Sequence, residues 1–239
     1  MRPKLLARRL HKWLAMLVGL QVLIWAVSGV YMVAVHIDII HGDMLVREVD
    51  TPLGPGLDRL VSPSALLSRY PGTQRLTLLR RGPELVYRLE GDGVSTVVDG
   101  VSGDLLPPLA AGEAVTIARA HYVSAGNPAN ALPARARLIE AEPPSEIQHL
   151  PLPVWRVDFD DAWGTSFYID PETGQFLSRR HTLWRVFDFL WMLHILDYDT
   201  RDDINNTALR LLSGVALLFG LTGVWLLYLR FLPLRGRRP

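Results

Sequence analysis

Two long stretches without a formal charge bracket this chain, and they limit what it can become. Trp13 to Val35 is 23 residues (WLAMLVGLQVLIWAVSGVYMVAV), and Leu211 to Leu229 is 19 (LLSGVALLFGLTGVWLLYL). At a rise of about 1.5 Å per residue they make roughly 34 Å and 28 Å of helix, against a hydrocarbon core of about 30 Å. Trp13, Tyr31, Trp225 and Tyr228 sit near their ends, where amphipathic aromatics settle at membrane interfaces. Each stretch therefore predicts a transmembrane helix. The first runs longer than the apolar region of a signal peptide, and its small-residue stretch Ala26-Val27-Ser28 is followed by more apolar sequence, so it reads as an uncleaved anchor.

The charges supply the orientation. Residues 1–12 carry Arg2, Lys4, Arg8, Arg9 and Lys12 with no acid; the last ten carry Arg230, Arg235, Arg237 and Arg238, again with no acid. All 24 acidic residues lie between, where 16 arginines leave a net charge of −8. The positive-inside bias then predicts both termini in the cytoplasm and the acidic middle outside. The whole-chain charge of +1 gives no electrostatic footprint for nucleic acid. The absence of cysteine excludes disulfides, thiolate metal sites and covalently attached haem.

The middle shows an internal correspondence. Leu85–Leu89 followed by Val94–Gly103 aligns with Pro153–Val157 followed by Thr165–Gly174, each ending in D-x-x-x-G. Both read as strand, hairpin, strand and tight turn, with Gly103 and Gly174 able to take a positive φ. A short helix capped at Ser62-Pro63-Ser64 precedes the first. A helix over Ala111–Ser124, with Ala114, Ile117, Ala118 and His121 on one face, precedes the second. Further strands are expected at Arg75–Arg80 and Arg137–Glu142. The Pro-rich stretches Asn127–Pro133 and Pro143–Pro153 read as loops. The fold class is an α+β membrane protein: two transmembrane helices flank two helix-plus-antiparallel-sheet repeats. Its parts are a basic N-terminus (1–12), a first span (13–35), a juxtamembrane segment (36–61), repeats at 62–109 and 110–180, an interfacial amphipathic helix with an acidic loop (181–206), a second span (207–229) and a basic tail (230–239).

Side-chain patterns suggest where these parts meet. Ser213, Ala216, Gly220 and Gly223 make a small-residue stripe suited to close helix approach, including that of a second copy in a homodimer. Gln21, Trp25 and Ser28 share one face of the first span, either as a hydrogen-bonding helix contact or as a cofactor edge. Neither span holds an ionisable residue, which favours the contact. Arg88 and Arg156 occupy matched strand positions and read as ion-pair arginines, with an anion contact as the alternative.

Several segments resemble the PepSY-associated transmembrane protein family of bacterial inner membranes. They are L-H-K-W-L-A at Leu10–Ala15, W-x-x-S-G-x-Y-M at Trp25–Met32, H-I-D-I-I-H-G-D at His36–Asp43, V-W-R-V-D-F-D-D at Val154–Asp161, I-D-P-E-T-G at Ile169–Gly174 and, most specific, W-M-L-H-I-L-D-Y-D-T-R-D-D-I-N-N at Trp191–Asn206. The resemblance makes the repeats PepSY-like and implies redox work at the membrane. Larger members are similar to haem-containing ferric-siderophore reductases, and compact ones are associated with flavinylated or metal-reducing periplasmic partners. On that reading the chain is an electron-transfer subunit rather than an enzyme with its own substrate pocket. The rival reading is a membrane-anchored binding or regulatory module without cofactor, since PepSY domains are also associated with peptidase inhibition.

Five of the seven histidines lie near the membrane boundaries: His11, His36, His41, His181 and His194. Two neutral imidazoles from the two flanks could hold a b-type haem, with Asp38, Asp43 or Asp197 orienting a ring. His36 and His41 lie about 140° apart around a helix and cannot both face one iron. His41 with His194 is therefore the leading pair, with His36 and His181 in reserve. His11, roughly 45 Å of helix from His41, cannot join them. The alternative is a set of interfacial histidines bonded to aspartates or headgroups. Asp197–Asp203 begins like a calcium loop but lacks glycine at its sixth position, so it reads as a capping loop. Asp92–Thr96 lacks the core of a flavin acceptor site and reads as a hairpin turn.

Overall fold

The computed structural model describes residues 3–47, 49, 56–123 and 132–231. Arg2, Arg235, Arg237 and Arg238, Ser124, and most of the loop expected at Asn127–Pro133 lie outside them. The chain divides into a helical unit (residues 1–36 and 186–239) and a central unit (residues 37–185).

In the helical unit, α1 (Pro3–Ala34) continues below Trp13 through the basic residues to Lys4. Its less exposed positions run Ala7, His11, Leu14, Val18, Gln21, Trp25 and Ser28, alternating steps of four and three. That is the seam of a left-handed helix pair, in which side chains spaced 3.5 residues apart keep facing a partner. α6 (Thr207–Phe231) supplies the partner through Leu212, Val215, Phe219, Thr222 and Leu226. Both helices are long and apolar enough to cross a bilayer. Their register is fixed where the His11 ring stacks on Phe219 at 4.4 Å and its Nδ1 meets Thr222 Oγ1 at 3.0 Å. The helices run antiparallel, so the uncharged part of α1 faces the uncharged part of α6 only over about ten residues, Trp13–Val22 against Leu211–Gly220.

α5 (Thr182–Ile195) belongs to the helical unit from Val186 onward. Its end is stopped by Leu196 at φ +57° and followed by the acidic loop. Asp197 holds that loop: its carboxylate accepts from the backbone N–H of Asp199, Thr200, Asp202 and Asp203 and from the Thr200 hydroxyl at 2.6 Å. The Thr200 hydroxyl and these amides keep the Asp197 carboxyl far below the usual carboxylate range. Asn206 caps α6, accepting from Leu209 N at 2.8 Å.

The central unit opens with a short α2 (Ile37–His41). The helix α3 (Pro63–Arg69) follows, with Ser62 Oγ accepting from Ala65 N at 3.2 Å and proline at its start, as its sequence predicts. α3 packs Leu66 on a three-stranded antiparallel sheet, β1 (Arg75–Arg81), β2 (Glu84–Gly91) and β3 (Val94–Asp99), with Tyr87, Leu89 and Val98 completing the core. Asp92 and Gly93, both at positive φ, form the two-residue hairpin. α4 (Ala111–His121) lies on a four-stranded sheet in the order β4 (Ala134–Ile139), β5 (Val154–Phe159), β6 (Ser166–Ile169) and β7 (Phe176–Arg180). Ala114, Ala118 and Tyr122 pack there against Val157, Phe159, Phe167 and Ile169.

Three local outcomes depart from the sequence pattern. β4 begins three residues earlier than the strand expected at Arg137–Glu142, because its pairing runs Ala134 opposite Phe159 through Ile139 opposite Val154. α4 ends at His121, where Tyr122 turns extended to bridge Val46. The proline-rich stretch expected as a loop carries a 3-10 turn, Ser145–Ile147, and Ile147 packs with Ile139, Val154 and Tyr168 on the sheet face away from α4. β6 is consequently buried on both faces.

The two D-x-x-x-G turns close with the same bonds. Asp99 accepts from Val101 N and Ser102 N at 2.9 and 2.7 Å, and Asp170 from Glu172 N and Thr173 N at 2.8 and 2.7 Å. Gly103 (φ +71°) and Gly174 (φ +72°) each donate back to the aspartate carbonyl at 2.9 Å. Gly100 has a different role: a Cβ there would stand 2.4 Å from the Leu85 carbonyl oxygen.

Candidate functional site

A helix leaves its last carbonyls without partners, a cost that grows where water is scarce. At the end of α5, three side chains meet that need in succession. Gln21 Nε2 donates to the Leu193 carbonyl at 2.9 Å, Trp25 Nε1 to the His194 carbonyl at 2.7 Å and Asn206 Nδ2 to the Ile195 carbonyl at 2.8 Å. The polar face of α1 is thus a hydrogen-bonding helix contact, and its third member orients a histidine. Ser28 Oγ lies 2.7 Å from His194 Nδ1 and also donates to the Ile24 carbonyl at 2.8 Å. With that hydroxyl proton committed to Ile24, Ser28 accepts from His194, whose Nδ1 carries a proton. The ring lies parallel to Trp191 (6.3 Å, 1°) and tilted against Trp25 (6.3 Å). Among the described residues nothing bonds His194 Nε2. The imidazole is fixed in tautomer and plane with one nitrogen open, the arrangement an axial metal ligand requires.

The group that orients His194 is Ser28 rather than an aspartate. Asp197 is consumed by its own loop, and Asp43 pairs with Arg179. Ser28 lies about 9 Å along the helix below Ala34, so His194 sits beside the body of α1 rather than at its rim. His36 is exposed just past the C-terminal end of α1, eight residues beyond Ser28. His11 is bonded to Thr222 and stacked on Phe219, about 25 Å of helix on the other side of Ser28. Within the helical unit, His194 is not brought together with either.

His41 and His181 belong to the central unit. The His41 ring is exposed, and its carbonyl accepts from Arg179 Nε at 2.7 Å. His181 is fully buried and holds the juxtamembrane segment: its Nε2–H donates to the Ile40 carbonyl at 3.1 Å. Nδ1 therefore carries no proton in the neutral ring and is left buried without a donor. Burial holds this imidazole below its usual range. Gly42, at φ +72°, admits the ring, since a Cβ there would lie 3.0 Å from His181 Cδ2. His181 is thus a structural latch, not an available ligand.

Beside the latch is a charged cluster centred on a carboxylate that no sequence pattern announced. Glu146, 7% exposed, accepts from Arg185 Nε at 2.6 Å and from the Tyr168 hydroxyl, and lies 3.4 Å from Arg156 Nη1. Burial pushes its carboxyl up; the Arg185, Tyr168 and Arg156 contacts outweigh this and hold it below the usual range. Arg156 also pairs with Asp158 at 2.7 Å, and Arg88 with Glu90 at 3.3 Å, so both matched arginines are ion-pair residues. Arg185 is the last residue of the central unit, so the whole cluster lies within that unit. Among the described residues no three histidines or carboxylates converge on a common metal position.

Two apolar helices of membrane-spanning length, with a mixed helix and antiparallel-sheet stretch between them in the chain, define the class: a membrane protein with a folded central unit. A family model described as the PepSY-associated TM region matches residues 8–238. The chain belongs to this family. No curated protein and no solved structure gives a significant match to it.

Proposed function

We propose that this chain is an inner-membrane PepSY protein that passes electrons between the membrane and a periplasmic redox partner, with His194 as an axial ligand of a b-type haem. Its termini are cytoplasmic and its central unit periplasmic, a reading supported by the basic ends flanking an acidic middle. The two helix-and-sheet units are duplicated PepSY-like repeats in this reading, supported by the matching bonds of their D-x-x-x-G turns. The observation that carries the redox assignment is His194 itself: Nδ1 is held by Ser28 at 2.7 Å, the ring is flanked by Trp191 and Trp25, and Nε2 is open. Haem supplies one-electron chemistry. The protein's part is to fix the imidazole plane and to raise its basicity through Ser28. His181 does not fit the group, because the nitrogen its fold contact leaves over is buried, and His11 lies about 25 Å of helix from Ser28, too far to share an iron with His194. His41, with its exposed ring, is the second imidazole to test. Linkage to iron or siderophore reduction, or to a flavinylated partner, is part of this reading and would be read from the acceptor.

The test is a reduced-minus-oxidised spectrum of full-length protein from haem-replete cells. Soret and α bands lost in His194→Ala and weakened in Ser28→Ala, but kept in His11→Ala, are expected. A colourless preparation would leave the second reading, a cofactor-free binding module. That reading is favoured by a cleft of about 760 Å³ in the central unit, walled by Leu79, Ile117, His121 and Phe176.

A further inference from the structure

We propose that the end of the helical unit carrying Lys4 and Arg230 holds the phosphate headgroup and upper acyl chain of an anionic phospholipid. Below the His11–Thr222 contact, α1 and α6 enclose a cleft of about 560 Å³. Lys4, Arg8 and His11 enter it from α1 at steps of four and three, one stripe of that helix. Arg230 closes the mouth from α6, and Leu226 and Leu227 form an apolar wall. Gly223 sets the floor, where the His11 ring lies against α6: a Cβ there would be in ordinary contact with His11 Cε1 at 3.4 Å. Cations at the mouth and leucines along the wall complement an amphiphile with an anionic head.

Among the described residues, Lys4, Arg8 and Arg230 have no acidic partner. The sequence holds no acid before Asp38 or after Asp203. From Arg8 to the end of α1 is roughly 39 Å of helix, and from Arg230 to the start of α6 roughly 35 Å. Within the helical unit, the acids that follow α5 therefore lie several Debye lengths of about 8 Å from these cations. Basic pockets between membrane helices on the cytoplasmic side are where phospholipid head groups bind. The cleft differs from a diffuse basic surface in using only part of the charge: Arg9 and Lys12 lie on α1 but outside it.

The experiment is native mass spectrometry of the full chain released from micelles doped with phosphatidylglycerol, phosphatidylcholine or inorganic phosphate at matched ionic strength. One phosphatidylglycerol should be retained in preference to phosphatidylcholine. Retention should fall about fivefold for each charge removed in Lys4→Gln, Arg8→Gln and Arg230→Gln, and persist in Arg9→Gln/Lys12→Gln. Equal loss in both sets would reduce the effect to net basic charge and overturn the site. Equal retention of the two lipids, or phosphate binding without lipid binding, would overturn it too. Should the cleft variants not insert, wild-type protein photo-crosslinked to phosphatidylglycerol supplies the readout. Adducts on residues 4–11 and 223–230 support the site, and adducts spread along both helices refute it.

Discussion

Replacing Glu146 with glutamine keeps the shape of the side chain and removes the negative charge that Arg185, Arg156 and Tyr168 share. Arg185 retains the Gly164 carbonyl at 2.8 Å and Ser166 Oγ at 2.8 Å, and Arg156 retains Asp158, so neither guanidinium is left bare. Breaking a buried ion pair costs about 3–5 kcal/mol. Arg185 and Arg156 are 33% and 20% exposed, which places Glu146→Gln at the lower end, about 3 kcal/mol. For a domain of this size that is roughly 6–12 °C in Tm. Thermal unfolding of the full chain in detergent, followed by near-ultraviolet circular dichroism, measures it. The double variant Glu146→Leu/Arg185→Met removes both charges and should recover at least half of the loss, since well-packed apolar replacements of buried pairs are often neutral. The loss should also vanish with acid. The folded carboxyl lies below its ordinary value, so the stabilisation is complete above about pH 4.5 and disappears as pH falls through the folded pKa. A single-variant loss under about 1 kcal/mol, or a double variant as damaged as the sum of the singles, would refute the assignment of a cooperative buried cluster.

Three further outcomes are expected. His181 has a folded pKa below its unfolded value of about 6.5, so the stability it confers is full above that pH and declines as pH falls below it; His181→Gln should flatten this part of the Tm–pH curve. Trp25→Phe removes the donor to the His194 carbonyl and should cost about 1 kcal/mol and speed hydrogen exchange at the end of α5, read by mass spectrometry. Gly100→Ala drives a methyl against the Leu85 carbonyl and should lower Tm by several degrees, whereas Gly112→Ala, with nothing within 4 Å, should not lower it.

What the sequence made legible follows from what depends on neighbours in the chain. The two spans, the capped α3, the hairpin at Asp92-Gly93 and both D-x-x-x-G turns are local, and composition or spacing announces them. The polar face of Gln21, Trp25 and Ser28 was visible as a stripe, but its partners lie some 170 residues away, and no local rule names the carbonyls it would cap. Glu146 was hidden for a different reason. It sits in a proline-rich stretch that resembles any surface loop, and burial comes from the sheet beneath it. His181 and His194 look alike in sequence, both in the aromatic-rich segment that ends at Leu196. Only the atom each ring spends on the fold separates a latch from a candidate ligand.

The staggered register of α1 and α6 bears on the surrounding lipid. Only about ten residue pairs, some 15 Å of rise, are uncharged on both helices at once, half the thickness of a typical hydrocarbon core. Annular lipid must therefore thin around the pair, or the charged side chains flanking the overlap must snorkel, at a cost of a fraction of a kcal/mol for each ångström of mismatch. Such a protein partitions toward thin, easily deformed regions of its membrane, and lengthening the acyl chains of a host bilayer should drive its molecules together.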